Sequence, residues 1–117
     1  MGIIKYISTD QVMAQHKAMG TQISLQIYGA REDPEKILDQ TKVLIDHFED
    51  LLTVNRKPDH PRYGLSEVTR VNDQAGKEAV QVSSSVYGLI KLAVETSREN
   101  FGFNALIGPL VKLWSIG

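Results

Sequence analysis

Histidine, carboxylate and hydroxyl side chains carry much of protein chemistry, and this sequence places few of them in a reactive pattern. The histidines are His16, His47 and His60. His47 directly follows Asp46 in a predicted helix, and neighbouring helical side chains point apart, so these two cannot face each other. No HExxH or similar ligand spacing occurs, which favours solvated or packed histidines over metal ligands by about five to one.

The other candidate nucleophiles have structural explanations. The serine run at positions 83–85 is better explained as a helix cap, because neither a G-x-S-x-G elbow nor a P-loop glycine pattern is present. Cysteine is absent, which excludes disulfides, thiolate nucleophiles and zinc–cysteine sites. The formal net charge is −1 and the basic residues are spread along the chain, so nucleic acid is not an expected partner.

Two turns that contain glycine are better candidates for a binding site. Gly20 follows Met19 in the segment "MGTQ", and glycine lets a backbone approach a ligand closely. A turn that simply starts the next strand explains this segment equally well. Gly102 stands just past a predicted helix, where a left-handed cap is expected, and an aromatic residue and an amide follow it.

The hydrophobic pattern predicts the elements that position these turns. "TQISLQIYG" alternates apolar and polar residues, which predicts a half-buried strand ended by Gly29. A long amphipathic helix follows, with Asp33 as its cap and Pro34 at its first position. Its apolar stripe consists of Ile37, Thr41, Leu44, Ile45, Phe48, Leu51 and Leu52.

The rest of the chain reads as a mixture of loops, helices and one further strand. We predict an exposed loop over 53–65, a short helix capped by Ser66 that ends near Asn72, and a brief strand over 78–82. "SSSVYGLIKLAVETSRE" predicts a second helix, with Val86, Ile90, Ala93 and Ser97 on one face. With 42% hydrophobic and 23% charged residues, the 117-residue chain has the composition of a globular protein. The order of the predicted strands and helices indicates one α+β domain, or part of one.

The final segment, "FNALIGPLVKLWSIG", is unusually apolar for a chain end, since soluble proteins usually finish in a few polar residues. It is broken by Pro109 and Lys112 and falls short of the roughly 18 apolar residues of a membrane span. The first residues lack the pattern of a secretory leader, so we expect a soluble chain. The tail is either an element that closes the core or one whose packing partner lies outside this sequence.

Four segments together resemble the N-terminal part of the FAD:protein FMN transferases, the ApbE family. They are "MGTQISLQI", "FEDLLTVN", "SEVTRVNDQAG" and "GFNALIGPLVKLWSIG". One such motif would be weak, but their order and spacing agree over roughly residues 17–117. The resemblance implies that residues 1–117 form the N-terminal segment of a T-fold-like α+β domain whose C-terminal part is absent. The apolar tail is then a core element whose neighbours are missing.

The resemblance also implies an activity, protein flavinylation. Members of this family split the pyrophosphate of FAD and pass FMN to a Ser or Thr hydroxyl of a target flavoprotein, with Mg²⁺ neutralising the phosphates. Met19 would lie against the flavin nucleotide, Asn55 matches a flavin-lining position usually filled by an aromatic residue, and the segment Gly102, Phe103 and Asn104 would touch FAD. Asn55 cannot stack as an aromatic ring would, and Asn104 replaces the commoner aspartate.

The metal ligands and the base of the family lie outside the matched segments, so this chain alone is expected to be inactive. Many members are lipoproteins on the extracytoplasmic side of a membrane, but no lipidation cysteine is present and the chain as given could be cytoplasmic. The alternative function is a non-catalytic module that binds flavin or protein and associates with itself or a second chain. Because the uncovered apolar surface should seek a partner, we expect a homo-oligomer.

Overall fold

The computed structural model describes residues 4–8, 10–29 and 33–114. Three strands come first and helices follow, which confirms the predicted α+β class. The elements are β1 (Ile4–Ser8), β2 (Gln11–Ala18), β3 (Thr21–Tyr28), α1 (Pro34–Leu52), a short 3-10 helix (Tyr63–Leu65), α2 (Glu67–Gln74), α3 (Ser84–Glu99) and α4 (Gly108–Leu113). By their contacts these residues divide into two compact units, Met1–Asp73 and Gln74–Gly117. The prediction that 1–117 is one segment of a larger domain stays a prediction.

The first unit is built on an antiparallel sheet of strand order β1-β2-β3. On one face the side chains of Val12 and Ala14 are buried together with Leu38 of α1. The opposite face is polar, and there Gln22 Nε2 donates to Gln15 Oε1 at 2.5 Å across the β2–β3 ladder. A helix on one face and exposed polar side chains on the other make this a two-layer unit.

The predicted strand is β3, and its alternation is confirmed, because Ile23, Leu25 and Ile27 are half-buried while the residues between them are exposed. No prediction covers β1 and β2. In β2 the residues Val12, Ala14 and Ala18 point inward, but His16 stands at the inward position between them. Because a polar residue occupies one of the inward positions, the sequence of β2 lacks the regular alternation of apolar and polar residues that predicts a strand.

Helix α1 begins as predicted, with Asp33 Oδ1 accepting a hydrogen bond from Lys36 N at 3.1 Å and Pro34 in the first turn. Its buried face differs from the predicted stripe. Leu38 is 2% exposed, whereas Ile37 and Leu44 are 41% and 53% exposed. The helix packs chiefly on the central strand β2, so a narrow sheet covers only part of a broad apolar stripe.

Helix α2 confirms the predicted cap, since Ser66 Oγ accepts from Thr69 N at 3.1 Å, although the helix ends at Gln74 rather than near Asn72. The predicted strand over 78–82 is wrong, and residues 78–83 have no regular secondary structure. A strand needs a hydrogen-bonded neighbour, and the described part of the second unit contains no other strand.

The second unit consists mainly of α3 and α4. Helix α3 is capped as predicted, with Ser83 Oγ accepting from Val86 N at 3.4 Å. The four residues predicted to share one face are among its less exposed ones: Val86 is buried, and Ile90, Ala93 and Ser97 are half-buried. In the apolar tail, Leu106, Leu113 and Trp114 are 81%, 77% and 74% exposed, and 115–117 lie outside the described residues. Among the described residues, no helix combines the length and the apolar character that crossing a membrane requires.

Candidate functional site

Met19 lies at the tip of the hairpin that joins β2 to β3. Ala18 and Thr21 are paired across the ladder, so Met19 and Gly20 form a two-residue turn, with φ of 52° and 71°. Two positive φ values characterise a type I′ turn, whose twist suits a β-hairpin. The structure thus agrees with the interpretation of this segment as a turn that starts a strand. Met19 is 49% exposed at the tip of this well-defined hairpin.

Asn55 lies in the loop that follows α1, three residues beyond the last helical residue. It is exposed, and its backbone N–H points to Thr53 Oγ1 at 3.5 Å. The carbonyl of Thr53 in turn accepts hydrogen bonds from Ser66 Oγ at 2.5 Å and from Thr69 Oγ1 at 3.2 Å. The base of the loop is therefore closed against the start of α2.

An ionic cluster spans the same loop. The buried carboxylate of Asp50, in the last turn of α1, contacts the guanidinium groups of Arg56 and Arg62. Arg56 Nη2 lies 2.7 Å from Asp50 Oδ1 and forms a close ion pair with it, but Oδ1 accepts no hydrogen bond of good geometry. Arg62 donates a hydrogen bond to the other carboxylate oxygen, Oδ2. Arg56 Nη1 also donates to the carbonyl of Arg62 at 3.1 Å. We call these three residues the loop clamp.

The loop clamp keeps Asp50 ionised. Burial by itself raises the pKa of Asp50. The contacts with Arg56 and Arg62 lower it by more, so that the pKa lies below its ordinary value of 3.8. The carboxylate is thus held in place as an anion and has no role as a general acid near neutral pH.

Gly102, Phe103 and Asn104 form the turn that leaves α3. Phe103 N donates to the carbonyl of Asn100 at 3.2 Å, and Asn104 Oδ1 accepts from Leu106 N at 2.9 Å. The side-chain oxygen of Asn104 therefore serves the turn itself, as in an Asx turn. Phe103 is 47% exposed, and Gly102 and Asn104 are exposed as well.

The predicted left-handed cap at Gly102 is wrong, because its φ is not in the left-handed region. The residue that caps the end of α3 is instead Asn100, which is extended and donates from both its backbone N–H and its Nδ2 to the carbonyl of Thr96. A Cβ added at Gly102 would meet no atom within 4 Å. Neither the conformation of the backbone nor packing within the described residues requires glycine at this position.

Two of the three histidines make hydrogen bonds within the chain, and His47 is exposed. His16 Nε2 lies 2.6 Å from Asp46 Oδ1, between β2 and α1, and His60 Nδ1 accepts from Arg62 N at 3.0 Å. Among the described residues, no group of three or more His, Asp or Glu side chains lies close enough to hold a metal ion. The Mg²⁺ implied by the resemblance therefore finds no ligand set in this part of the chain.

Sequence reasoning missed the loop clamp. Asp50 is twelve positions from Arg62 and no periodicity links them, so only the folded loop brings them together. The one available signal was a carboxylate between Phe48 and Leu52, inside the apolar stripe of a helix. Met19 and Asn55 belong to the first unit and Gly102–Asn104 to the second. Their convergence on a single site stays a prediction.

Known proteins match this chain over most of its length. The model of the ApbE family matches residues 19–117, a range that includes all five predicted contact residues. The FAD:protein FMN transferase of Klebsiella pneumoniae (strain 342) is 41% identical over 100 residues, covering 85% of this chain and 28% of that protein. The protein of the same name from Treponema pallidum (strain Nichols) is 31% identical over 102 residues, covering 85% and 26%. No solved structure matches the chain.

The chain therefore belongs to the ApbE family. It spans only about a quarter of the length of the two curated relatives, 28% and 26%. The two relatives carry the name of an enzyme that uses FAD and modifies protein.

Proposed function

We propose that this chain supplies part of the FAD-binding site of an FAD:protein FMN transferase. The observation that carries the proposal is the 41% identity over 100 residues to a relative of that name. The family match also begins at Met19, so it takes in the exposed hairpin tip and the turn at Gly102–Asn104. Each of these is a hydrogen-bonded turn with exposed residues, which is where a backbone can approach a ligand.

The reaction we propose for the whole enzyme is a phosphoryl transfer. The hydroxyl oxygen of a Ser or Thr on the target protein attacks the phosphorus on the FMN side of the FAD pyrophosphate. The bond from that phosphorus to the bridging oxygen breaks, AMP leaves, and the hydroxyl proton passes to a base. Mg²⁺, when bound, would supply charge stabilisation at the phosphates.

The residues of this chain would bind and orient FAD rather than perform that step. Met19 offers an apolar, polarisable side chain to the flavin nucleotide from a hairpin tip of defined geometry. Asn55 offers an amide, which makes hydrogen bonds where an aromatic residue would stack. At the second turn Gly102 leaves space beside the backbone, and Phe103 is half exposed for contact with a ring system.

This division of roles makes the 117-residue chain inactive alone. No described group of carboxylates or histidines could clamp a metal ion, and Asp50, the buried carboxylate, is committed to two arginines. Phosphoryl transfer depends mostly on positioning and on charge stabilisation at the phosphates. We therefore infer that the metal ligands and the base belong to another part of the enzyme.

A chimera tests this function. Residues 19–117 of this chain would replace the aligned segment of the Klebsiella relative, which then contributes its own remaining sequence. With FAD, Mg²⁺ and a protein substrate of that relative, we expect a covalent FMN adduct by mass spectrometry. The 117-residue chain under the same conditions should give none.

Two outcomes would overturn the proposal. A chimera that folds, as judged by circular dichroism, but neither binds FAD nor forms the adduct would favour the alternative, a non-catalytic module. The exposed apolar residues of the second unit, among them Leu113 and Trp114, favour protein as the ligand of such a module. An adduct formed by the 117-residue chain alone would show that its own residues complete the catalytic site. The extracytoplasmic location implied by the resemblance stays a prediction.

A further inference from the structure

We propose that the loop clamp is a positioning device for Asn55, so that Asp50, Arg56 and Arg62 set the affinity for FAD without touching it. This inference rests on the proposed function for its ligand. Its structural part, the fixing of the loop after α1, stands on the contacts within the first unit.

The chain is held on both sides of Asn55. Two residues before it, the carbonyl of Thr53 accepts two hydrogen bonds from Ser66 and Thr69. One residue after it, the guanidinium of Arg56 is bound by the Asp50 carboxylate and the Arg62 carbonyl. Asn55 itself is exposed. A single exposed amide between two fixed neighbours is arranged as a ligand-contacting residue on a supported loop would be.

The location of the Asp50 carboxylate is unfavourable for an anion that has no partner. It lies in the last turn of α1, where the carbonyl ends of the helix already concentrate negative charge, and it is only 10% exposed at its side chain. A buried anion at this end is unfavourable unless it is paired, and here it takes two arginines. An apolar residue of similar size could fill this position without needing any partner. What the cluster does instead is fix the path of the backbone over residues 53–62.

The two arginines contribute differently. Arg56 is 16% exposed and reaches both Asp50 and the Arg62 carbonyl, so it ties the near side of the loop to its far side. Arg62 is 52% exposed and closes the cluster from the solvent side. Replacing Arg62 should therefore loosen the loop with less disturbance of folding than replacing Asp50.

The decisive experiment is a double-mutant cycle in the active chimera described above. We expect Asn55→Ala and Asp50→Asn each to raise the KM for FAD by about tenfold, with a smaller change in kcat. If Asp50 acts through Asn55, the double variant should be no worse than Asn55→Ala alone. Arg70→Gln is the matched control, because Arg70 is half exposed in α2 and pairs only loosely with Glu67, at 3.8 Å. Its KM should stay at the value of the unchanged chimera.

Additive effects of Asp50→Asn and Asn55→Ala on the KM for FAD would overturn the positioning role. A loss of activity in proportion to the fraction of unfolded protein would overturn it as well. Should Asp50→Asn fail to fold, Arg62→Lys replaces it, since lysine keeps the charge and loses the planar fork. Its expected rise in KM is smaller, about threefold, and it should disappear in the Asn55→Ala background.

Hydrogen exchange on the 117-residue chain separates this inference from the proposed function. In the Asp50→Asn variant, the backbone amides of residues 54–62 should exchange at least about tenfold faster, while those of α3 keep their rates. If the unchanged chimera transfers no FMN, the proposed function fails, and the exchange rates still decide whether the clamp fixes the loop. Unchanged exchange in residues 54–62 would refute the clamp itself.

Discussion

The two units of this chain bury their apolar residues to very different extents. In the first unit, Val12, Ala14 and Leu38 are buried together between the sheet and α1, and Ala18 is buried as well. Among the described residues of the second unit, only Val86 reaches the same degree of burial. Many large side chains on α3 and in the tail remain exposed, among them Tyr87, Leu89, Leu92, Leu106, Leu110, Leu113 and Trp114.

The difference follows from what each unit has available for packing. An amphipathic helix on a three-stranded sheet buries one face of each, which is the usual way that a small domain obtains a core. The described second unit offers helices of sixteen and six residues and no sheet, so most of its apolar surface finds no cover there. The family patterns are nevertheless distributed over both units. Membership of the family therefore does not indicate which of the two units can fold independently.

The core of the first unit gives the largest expected effect. Leu38→Ala removes a side chain that is 2% exposed, which should lower the free energy of unfolding by about 3 kcal/mol. Leu44→Ala makes the same change on the same helix at a side chain that is 53% exposed, and should cost less than about 1 kcal/mol. Urea unfolding followed by circular dichroism measures both. A larger loss for Leu44→Ala than for Leu38→Ala would mean that the predicted stripe, rather than the observed face, packs on the sheet.

The loop clamp gives the next effect, and it depends on pH. The pKa of Asp50 is below 3.8 in the folded chain, so its ionised form stabilises the fold above that value. As pH falls from 3.8 through the folded pKa, the proton binds the unfolded state first, and this contribution is lost. At neutral pH, Asp50→Asn should cost about 2 kcal/mol, because it leaves two guanidinium groups without their anion.

The difference in unfolding free energy between the original chain and Asp50→Asn should therefore shrink as the pH is lowered below about 4. Denaturant titrations of both proteins, from neutral pH to about pH 3, measure it. A difference that stays constant over this range would contradict an ion pair and indicate that the variant loses packing alone.

The exposed surface of the second unit gives a smaller effect on association. We expect the 117-residue chain to self-associate through this surface, since apolar patches of several hundred Å² usually find a partner. Trp114→Ser removes the largest exposed ring, and should weaken self-association by about tenfold, or ~1.4 kcal/mol. Val43→Ser is the control, on an exposed side chain of α1 in the first unit. Light scattering over a range of concentrations measures both, and a monomer mass throughout would disprove the association.

The smallest expected effect on stability is at Gly102. A Cβ there meets no atom within 4 Å and the backbone is not left-handed, so Gly102→Val should change the unfolding free energy by less than about 0.5 kcal/mol. In the chimera the same substitution should weaken FAD binding by crowding the turn, whereas Lys36→Ala should not. FAD affinity that is unchanged in a folded Gly102 variant would remove this turn from the proposed site.

The amino-acid sequence by itself determined the elements whose signals are local. The cap at Asp33, the alternation of Ile23, Leu25 and Ile27, and the serine cap of α3 all depend on neighbours within a few residues, and the structure confirms them. The family was also readable from sequence, because four segments in a fixed order are a property of the chain and not of its packing. Met19 and Gly102 could be singled out for the same reason.

Tertiary structure decided what depends on distant partners. Whether Leu38 or Leu44 is buried depends on how wide a sheet α1 covers, and whether residues 78–82 form a strand depends on a neighbour to bond with. The inward position of His16 in β2 could not be predicted, because its partner is Asp46 of α1. The loop clamp joins Asp50 to Arg62 only because the chain turns back after α1. These contacts are non-local, and their free energy depends on burial and distance, which no short pattern of residues specifies.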